Sequence, residues 1–185
     1  MMYGNFQHLE NITKNCRKCN LCKTRKNVVF GAGNVNAKIM LIAEAPGKEE
    51  DKVGLPFVGA SGKVVDYALE KIGLTRDEIY ISNIVKCNPP GNRNPSEEEC
   101  NICLDYLRNQ VILIKPKIII LLGSIPLKKI IGENHYISKE RGTFIEQKGI
   151  LYMPTWHPSA VLRDRTKIND FVNDFEKAMI KLKEL

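Results

Sequence analysis

The sequence has no window approaching the roughly 20 consecutive apolar residues that a membrane-spanning helix requires. Its opening, MMYGNFQHLENITKNC, has no apolar stretch behind a basic start. Both absences point to a cytoplasmic protein without a membrane partner. GxGxxG, a Walker phosphate loop and HExxH are all missing, which argues against dinucleotide enzymes, P-loop ATPases and zinc metalloproteases. No internal repeat, low-complexity tract or dividing linker interrupts the chain. The expectation is therefore one domain over 1–185, a length that buries roughly 70% of the surface exposed by the unfolded chain. A core of that size needs no metal to exist, so any metal here needs its own reason.

Positive charge and cysteine are what the chain has in quantity. Lys and Arg number 28 against 21 Asp and Glu, a formal charge of +7. That excess fits a polyanionic partner and equally a lysine-rich solubility surface. Six cysteines in a reducing compartment read as ligands before they read as disulfides. Two sets compete. Cys16 and Cys19 with Cys100 and Cys103 make a pair of CxxC motifs suited to tetrahedral zinc, whereas Cys16, Cys19, Cys87 and Cys103 make a wider-spaced set suited to an iron-sulfur cluster. Spacing alone mildly prefers zinc.

Residues 1–27 form a polar, cysteine-bearing arm, too poor in apolar residues to stay in place without ligation or packing. KIMLIA reads as a buried parallel strand, EIYISNIV as a second and PKIIILLG as a confident central one. Apolar positions 64, 65, 68, 69 and 72 mark a helix over 61–72 that stops at Gly73. Ser96 and Glu99 form a capping-box signature ahead of the helix carrying Cys100 and Cys103. A short helix follows from about Pro126 to Ile131, and GTFIEQKGILYM reads as a hairpin turning at Lys148 and Gly149. The last helix is expected to start at an Asn cap, Asn169, with Phe171, Phe175, Met179 and Leu182 on its core face. The alternation predicts an α/β fold: three layers, α/β/α, around a central, mostly parallel four-stranded sheet. Nothing in it requires a second copy to complete the sheet, so a monomer is expected.

Ligands of such sheets collect beyond the carboxyl ends of the strands. Here those ends are Glu44 in AEAPG, Asn83 in YISN, Gly123, and TWHPS with His157. A carboxylate at 44 suits orienting a water, or a surface salt bridge. Phe57 in GLPFVG is either a stacking platform or a satellite core residue. The Asn83 amide offers one donor edge and one acceptor, enough to read a nucleobase or to cap a turn. His157, between Trp156 and Pro158, suits donation to a developing oxyanion, while His8 and His135 are expected to face solvent. Arg93 and Arg163 flank these loops as phosphate contacts, and Leu162 suits an apolar wedge in a base stack.

In order along the chain, CRKCNLCKTRKNVVFGAGN, IAEAPGKEEDKVGLPFVGASG, YISNIVKCNPPGNRNPSEEEC and TWHPSAVLR resemble the family 4, iron-sulfur uracil-DNA glycosylases. The resemblance runs from Cys16 to about Arg163. It implies a [4Fe-4S] cluster on Cys16, Cys19, Cys87 and Cys103, against the spacing preference for zinc, and leaves Cys22 and Cys100 as non-ligand thiols. It also implies a uracil pocket built from the Ala43, Glu44 and Ala45 loop, Phe57 stacking on the base, Asn83 reading its edge and His157 near O2. Ala43 departs from the glycine usual in relatives. Ala45 stands where family 1 enzymes place a water-activating aspartate, which leaves Glu44 as the water-orienting carboxylate. The implied activity is monofunctional: release of uracil from single- or double-stranded DNA, leaving an abasic site for base-excision repair at the nucleoid, with replication or repair proteins as possible partners. Two alternatives remain: a family 5-like enzyme with broader deaminated-base specificity, and a non-catalytic iron-sulfur DNA-binding module.

Overall fold

The computed structural model describes residues 5–185; the first four residues of the expected 1–185 domain lie outside it. Strands β1 (Ala32–Gly33), β2 (Ile39–Ala43), β3 (Tyr80–Asn83), β4 (Ile118–Leu122), β5 (Ile145–Gln147) and β6 (Ile150–Thr155) form one sheet in the order β1-β3-β2-β4-β6-β5. The central four strands are parallel, as expected, but the sheet has six. Two short antiparallel edge strands, β1 on β3 and β5 on β6, extend it. The two-residue β1 carries too little periodicity to be read from sequence, whereas β5 is the first arm of the expected hairpin. The β5–β6 hairpin turns at Lys148 and Gly149, both left-handed at φ 54° and 75°, as a two-residue turn demands.

Alternation along β2 and β4 splits the core into two layers. Met40, Ile42, Ile119 and Leu121 face α1 (Phe6–Lys14), α4 (Glu97–Ile114) and α5 (Ser124–Ile130). Ile39, Leu41, Ile118 and Ile120 face α3 (Ala60–Lys71), α7 (Pro158–Arg163) and α8 (Ile168–Lys183). The remaining helices are short, α2 (Lys48–Val53) and α6 (Ile137–Glu140). The arm is held partly by packing: Leu9 and Leu21 are buried in the first layer, and the Lys18 ammonium lies 5.0 Å from the Tyr106 ring centroid.

Helix α4 begins with the expected capping box, Ser96 and Glu99 each accepting from the other's backbone N–H. Helix α5 starts at Ser124, two residues before the expected Pro126, because proline fits the first turn of a helix. Asn169 is not a cap. A 3₁₀ turn over Arg165–Lys167, capped by Asp164, runs straight into α8 and puts Asn169 inside it. Phe171 and Phe175 are fully buried as expected, with Met179 and Leu182 packed beside them. No described helix is long and apolar enough to cross a membrane.

Candidate active site

The parallel register brings the strand ends level, with Ala43 opposite Asn83 and Leu122 opposite Thr155. The residues that follow ring a cavity of about 520 Å³ lined by Glu44, Phe57, Asn83, His157, Arg93 and Arg163, among others. A larger groove, about 850 Å³, sits at the opposite strand ends around Lys38, Lys117 and Lys148. It has no acid or histidine in its walls, so the chemistry belongs to the smaller cavity.

Asn83 is only 3% exposed. Its backbone carbonyl accepts from the Lys86 ammonium at 2.8 Å, but among the described residues its side-chain amide has no hydrogen-bond partner. The amide opens onto the cavity rather than being sealed in the core, so its donor and acceptor are available to a ligand. Glu44 is half-buried and its carboxylate also lacks a hydrogen bond or ion pair among the described residues. Burial holds it above the ordinary carboxylate range. The loop itself is pinned through its backbone: Ala43 and Glu44 carbonyls accept from Ile84 and Val85 N–H at 2.8 and 3.0 Å. Ala45 lines the cavity, whereas the Ala43 side chain is buried in the second core layer.

His157 starts α7, and its Nδ1 accepts from the Ser159 backbone N–H at 3.2 Å and lies 2.7 Å from Ser159 Oγ. A backbone N–H only donates, so Nδ1 is bare and the neutral ring carries its proton on Nε2. Burial first, and then the Arg163 charge, push the imidazole down to about 4. The ring is therefore a neutral donor at physiological pH. Gly123 permits its position: at φ +98°, an added Cβ would lie 3.0 Å from His157 Cβ. Behind it, Thr155 donates to buried Asp174 at 2.6 Å, and Trp156 is flanked by Arg141 and Lys167. The Phe57 ring is the satellite core residue the sequence allowed, and it also faces the cavity. It belongs to the second core layer and forms one cavity wall, its centroid 6.3 Å from that of His157.

Of the expected DNA contacts, Arg163 is exposed at the cavity. Arg93 also lines it, but its guanidinium is bidentate to Glu99 at 2.8 and 2.9 Å. Leu162 is half-buried against the second core layer and is not part of the wall. His8 is exposed, while His135 is half-buried with Nδ1 2.9 Å from Glu140 rather than facing solvent.

The thiols separate into neighbourhoods. Cys103 feels Cys16 and Cys19, Cys87 feels Cys103 and Cys19, and Cys19 feels Cys16 and Cys22. The electrostatic surroundings of Cys100 are Lys129, Glu44, Cys103 and Glu99, without Cys16 or Cys19. Cys100 lies one helical turn from Cys103 along α4, with Glu44 among its electrostatic neighbours. Among the described residues no three Cys, His, Asp or Glu side chains converge closely enough for one ion. Burial raises the Cys19, Cys100 and Cys103 thiols, and Cys87 to about 12 against the pull of Arg25.

Two supporting residues, Arg25 and Lys86, carry no motif that would reveal them in sequence, and a third, Ser159, carries a local one. Arg25 donates to Cys87 Sγ at 3.3 Å and the Cys16 carbonyl at 2.6 Å. Lys86, fully buried, donates to Ser82 Oγ at 2.5 Å and Gln110 Oε1 at 2.7 Å. Ser159 sets the imidazole tautomer. Each depends on a contact that only the fold creates, apart from Ser159, whose place two residues after His157 is a helix-start signal.

Residues 30–183 match the family model of the Uracil DNA glycosylase superfamily. A Type-4 uracil-DNA glycosylase of Sulfurisphaera tokodaii is 44% identical over 171 residues, 88% of this chain and 78% of the relative. That of Thermotoga maritima is 39% identical over 184 residues, 96% of either chain. Similarity to a Type-5 uracil-DNA glycosylase of Pyrobaculum aerophilum is lower, 30% over 145 residues, 69% of this chain and 63% of the relative. With the four parallel strands ending around an open amide, a neutral imidazole and a half-buried carboxylate, the chain belongs to the type-4 family of the uracil-DNA glycosylase superfamily.

Proposed function

We propose that this chain is a monofunctional uracil-DNA glycosylase that hydrolyses the bond between uracil N1 and deoxyribose C1′ in DNA, releasing uracil and leaving an abasic site. The observation that carries the reading is the buried Asn83 amide, free of protein partners, in one cavity with Phe57 and His157. A base inside a duplex must be extruded to reach such a pocket. Uracil then stacks on Phe57, its N3–H donates to the Asn83 side-chain oxygen, and the Asn83 amide N–H donates to O4. Cytosine offers an acceptor at N3 and a donor at N4, reversing both.

As the bond stretches, its electron pair moves onto uracil and positive charge grows on the sugar. The His157 Nε2–H donates to O2 and stabilises the first, an oxyanion-hole role a neutral ring performs without giving up its proton. Glu44 orients water toward C1′ and offsets the second. The water oxygen bonds to C1′ as the N1–C1′ bond breaks, the water's proton passes to bulk solvent, and the uracil anion takes up one proton from solvent.

The thiols that share a neighbourhood, Cys16, Cys19, Cys87 and Cys103, would hold a [4Fe-4S] cluster, each thiolate serving its own iron. When bound, the cluster supplies a covalent tie between the arm, the segment after β3 and α4. The Arg25 guanidinium beside Cys87 supports this reading, since a thiolate cluster brings negative charge. Arg163 meets phosphate, with Arg93 and Leu162 as secondary contacts. The protein acts as a monomer in the cytoplasm at the nucleoid, with replication or repair proteins as further partners.

The test is uracil release from oligonucleotides with U opposite G, U opposite A and single-stranded U, with hypoxanthine and thymine controls. Uracil alone should be released, and strands should break only after alkali. Asn83→Ala should bind DNA yet lose about tenfold to a hundredfold in release, the cost of one buried hydrogen-bonding group. Near-wild-type turnover in that variant would sink the base-reading role, and comparable hypoxanthine release would favour the broader, family 5-like specificity.

A further inference from the structure

Phe57 carries the base-facing ring of the cavity on a backbone that a non-glycine residue rarely adopts, φ +53°. Such a conformation costs on the order of 1–3 kcal/mol and persists only where surrounding contacts over-determine it. Beside its core packing, the hydrogen bond that holds the Phe57 carbonyl comes from one side chain outside the cavity. Arg76 opens the 3₁₀ turn after α3 and reaches back to the Phe57 loop. Its Nη1 donates to the Pro56 carbonyl at 3.2 Å, and its Nη2 to the Phe57 carbonyl at 2.7 Å and the Gly62 carbonyl at 3.4 Å. On its other edge the same guanidinium holds Asp66 in α3, Nε to Oδ1 at 2.5 Å and Nη2 to Oδ2 at 3.1 Å. All three guanidinium nitrogens are engaged, and Asp66 fixes the plane.

Helix α3 closes the clamp. A Cβ on Gly62 would lie 1.8 Å from the Phe57 carbonyl oxygen and 3.0 Å from Arg76 Nη2, so only glycine lets the helix approach the strained carbonyl this closely. We infer that Arg76 is a positioning residue for base recognition: it holds Phe57 in its left-handed conformation and so sets the stacking wall of the pocket. The inference rests on the reading of Phe57 as the uracil platform. A lysine has one ammonium centre and no planar fork, so it reproduces the charge but not the bridge across three carbonyls and a carboxylate.

Arg76→Lys is the variant to make, with Asp66→Asn as a second that keeps the arginine but frees its plane. Under single-turnover conditions Arg76→Lys should slow uracil release tenfold or more and weaken inhibition by free uracil in parallel. Affinity for a duplex already containing an abasic site should stay within about twofold. The same substitution in a Phe57→Ala background should have little further effect, because a residue acting through Phe57 has nothing left to position. As a readout independent of catalysis, 4-fluorophenylalanine at position 57 should give one sharp ¹⁹F resonance in the wild type and a shifted or broadened one in both variants.

Unchanged release with an unchanged ¹⁹F line in Arg76→Lys would overturn the clamp. So would an effect that multiplies fully with Phe57→Ala, or a parallel loss of abasic-DNA binding, which marks a merely structural role. If the wild type releases no uracil while the ¹⁹F line still depends on Arg76, the clamp stands and the uracil reading falls.

Discussion

Glu44 illustrates how a single residue's environment sets both activity and stability. Burial raises its carboxyl pKa, so the folded state favours the protonated form and loses stability as pH rises through the folded value. The proposed chemistry needs the ionised form. Uracil release should therefore fall on the acid side along a limb above the ordinary glutamate range. Glu44→Gln should remove at least about two orders of magnitude of activity, the general acid–base scale, while melting at neutral pH no lower than the wild type. A thermal melt and a pH–rate profile on the same preparations check both halves; a normal acid limb with loss of stability would contradict the assignment. His157 adds no second limb near neutrality, since its depression to about 4 keeps it neutral there. Its own linkage has the opposite sign: stability is full above the unfolded histidine value and declines as pH falls toward 4.

At the scale of elements, the polar arm is fastened to the sheet by few groups. Helix α1 contributes Leu9, the following turn Leu21, and Arg25 joins the Cys16 carbonyl to Cys87 Sγ. Hydrogen bonds to a charged donor are worth about 1.5–3 kcal/mol. Arg25→Ala should thus lower iron and sulfide content per chain and make the segment around Cys16–Lys23 the first site of tryptic cleavage, with the sheet intact. Equal iron content and an unchanged digestion pattern would show that the arm is held by packing alone. The capping box of α4 was legible in SEEE because N-cap chemistry is local. That Glu99 also takes both Nη atoms of Arg93 was not, because the pairing depends on the turn just before Arg93, at Gly91 and Asn92, both left-handed.

For the whole molecule, the charge of +7 matters through where its cations are committed. DNA affinity should fall with salt by a log–log slope of about 0.9 per phosphate neutralised on a duplex. Arg163→Gln should reduce that slope by about one, as it removes an exposed cation at the cavity. Arg93→Gln should reduce it by less, its charge being already offset by Glu99. Titrations of uracil-free duplex between low and moderate salt measure both; equal reductions would show that Arg93 leaves Glu99 for phosphate.

The α/β class, the parallel core strands, the α4 start and the rim of Glu44, Asn83 and His157 were determined by sequence alone, because strand runs, caps and strand-end loops follow from local periodicity and a topological rule. The thiol set was not: spacing mildly preferred Cys100, whose electrostatic neighbours in the fold are Lys129, Glu44, Cys103 and Glu99. Only the tertiary structure decided which thiols neighbour Cys103, that the Asn83 amide is left open, and that Arg76 grips the Phe57 loop. These are contacts between segments distant in the chain, or between a side chain and the space beside it. Their energies exist only once the sheet has brought the loops together.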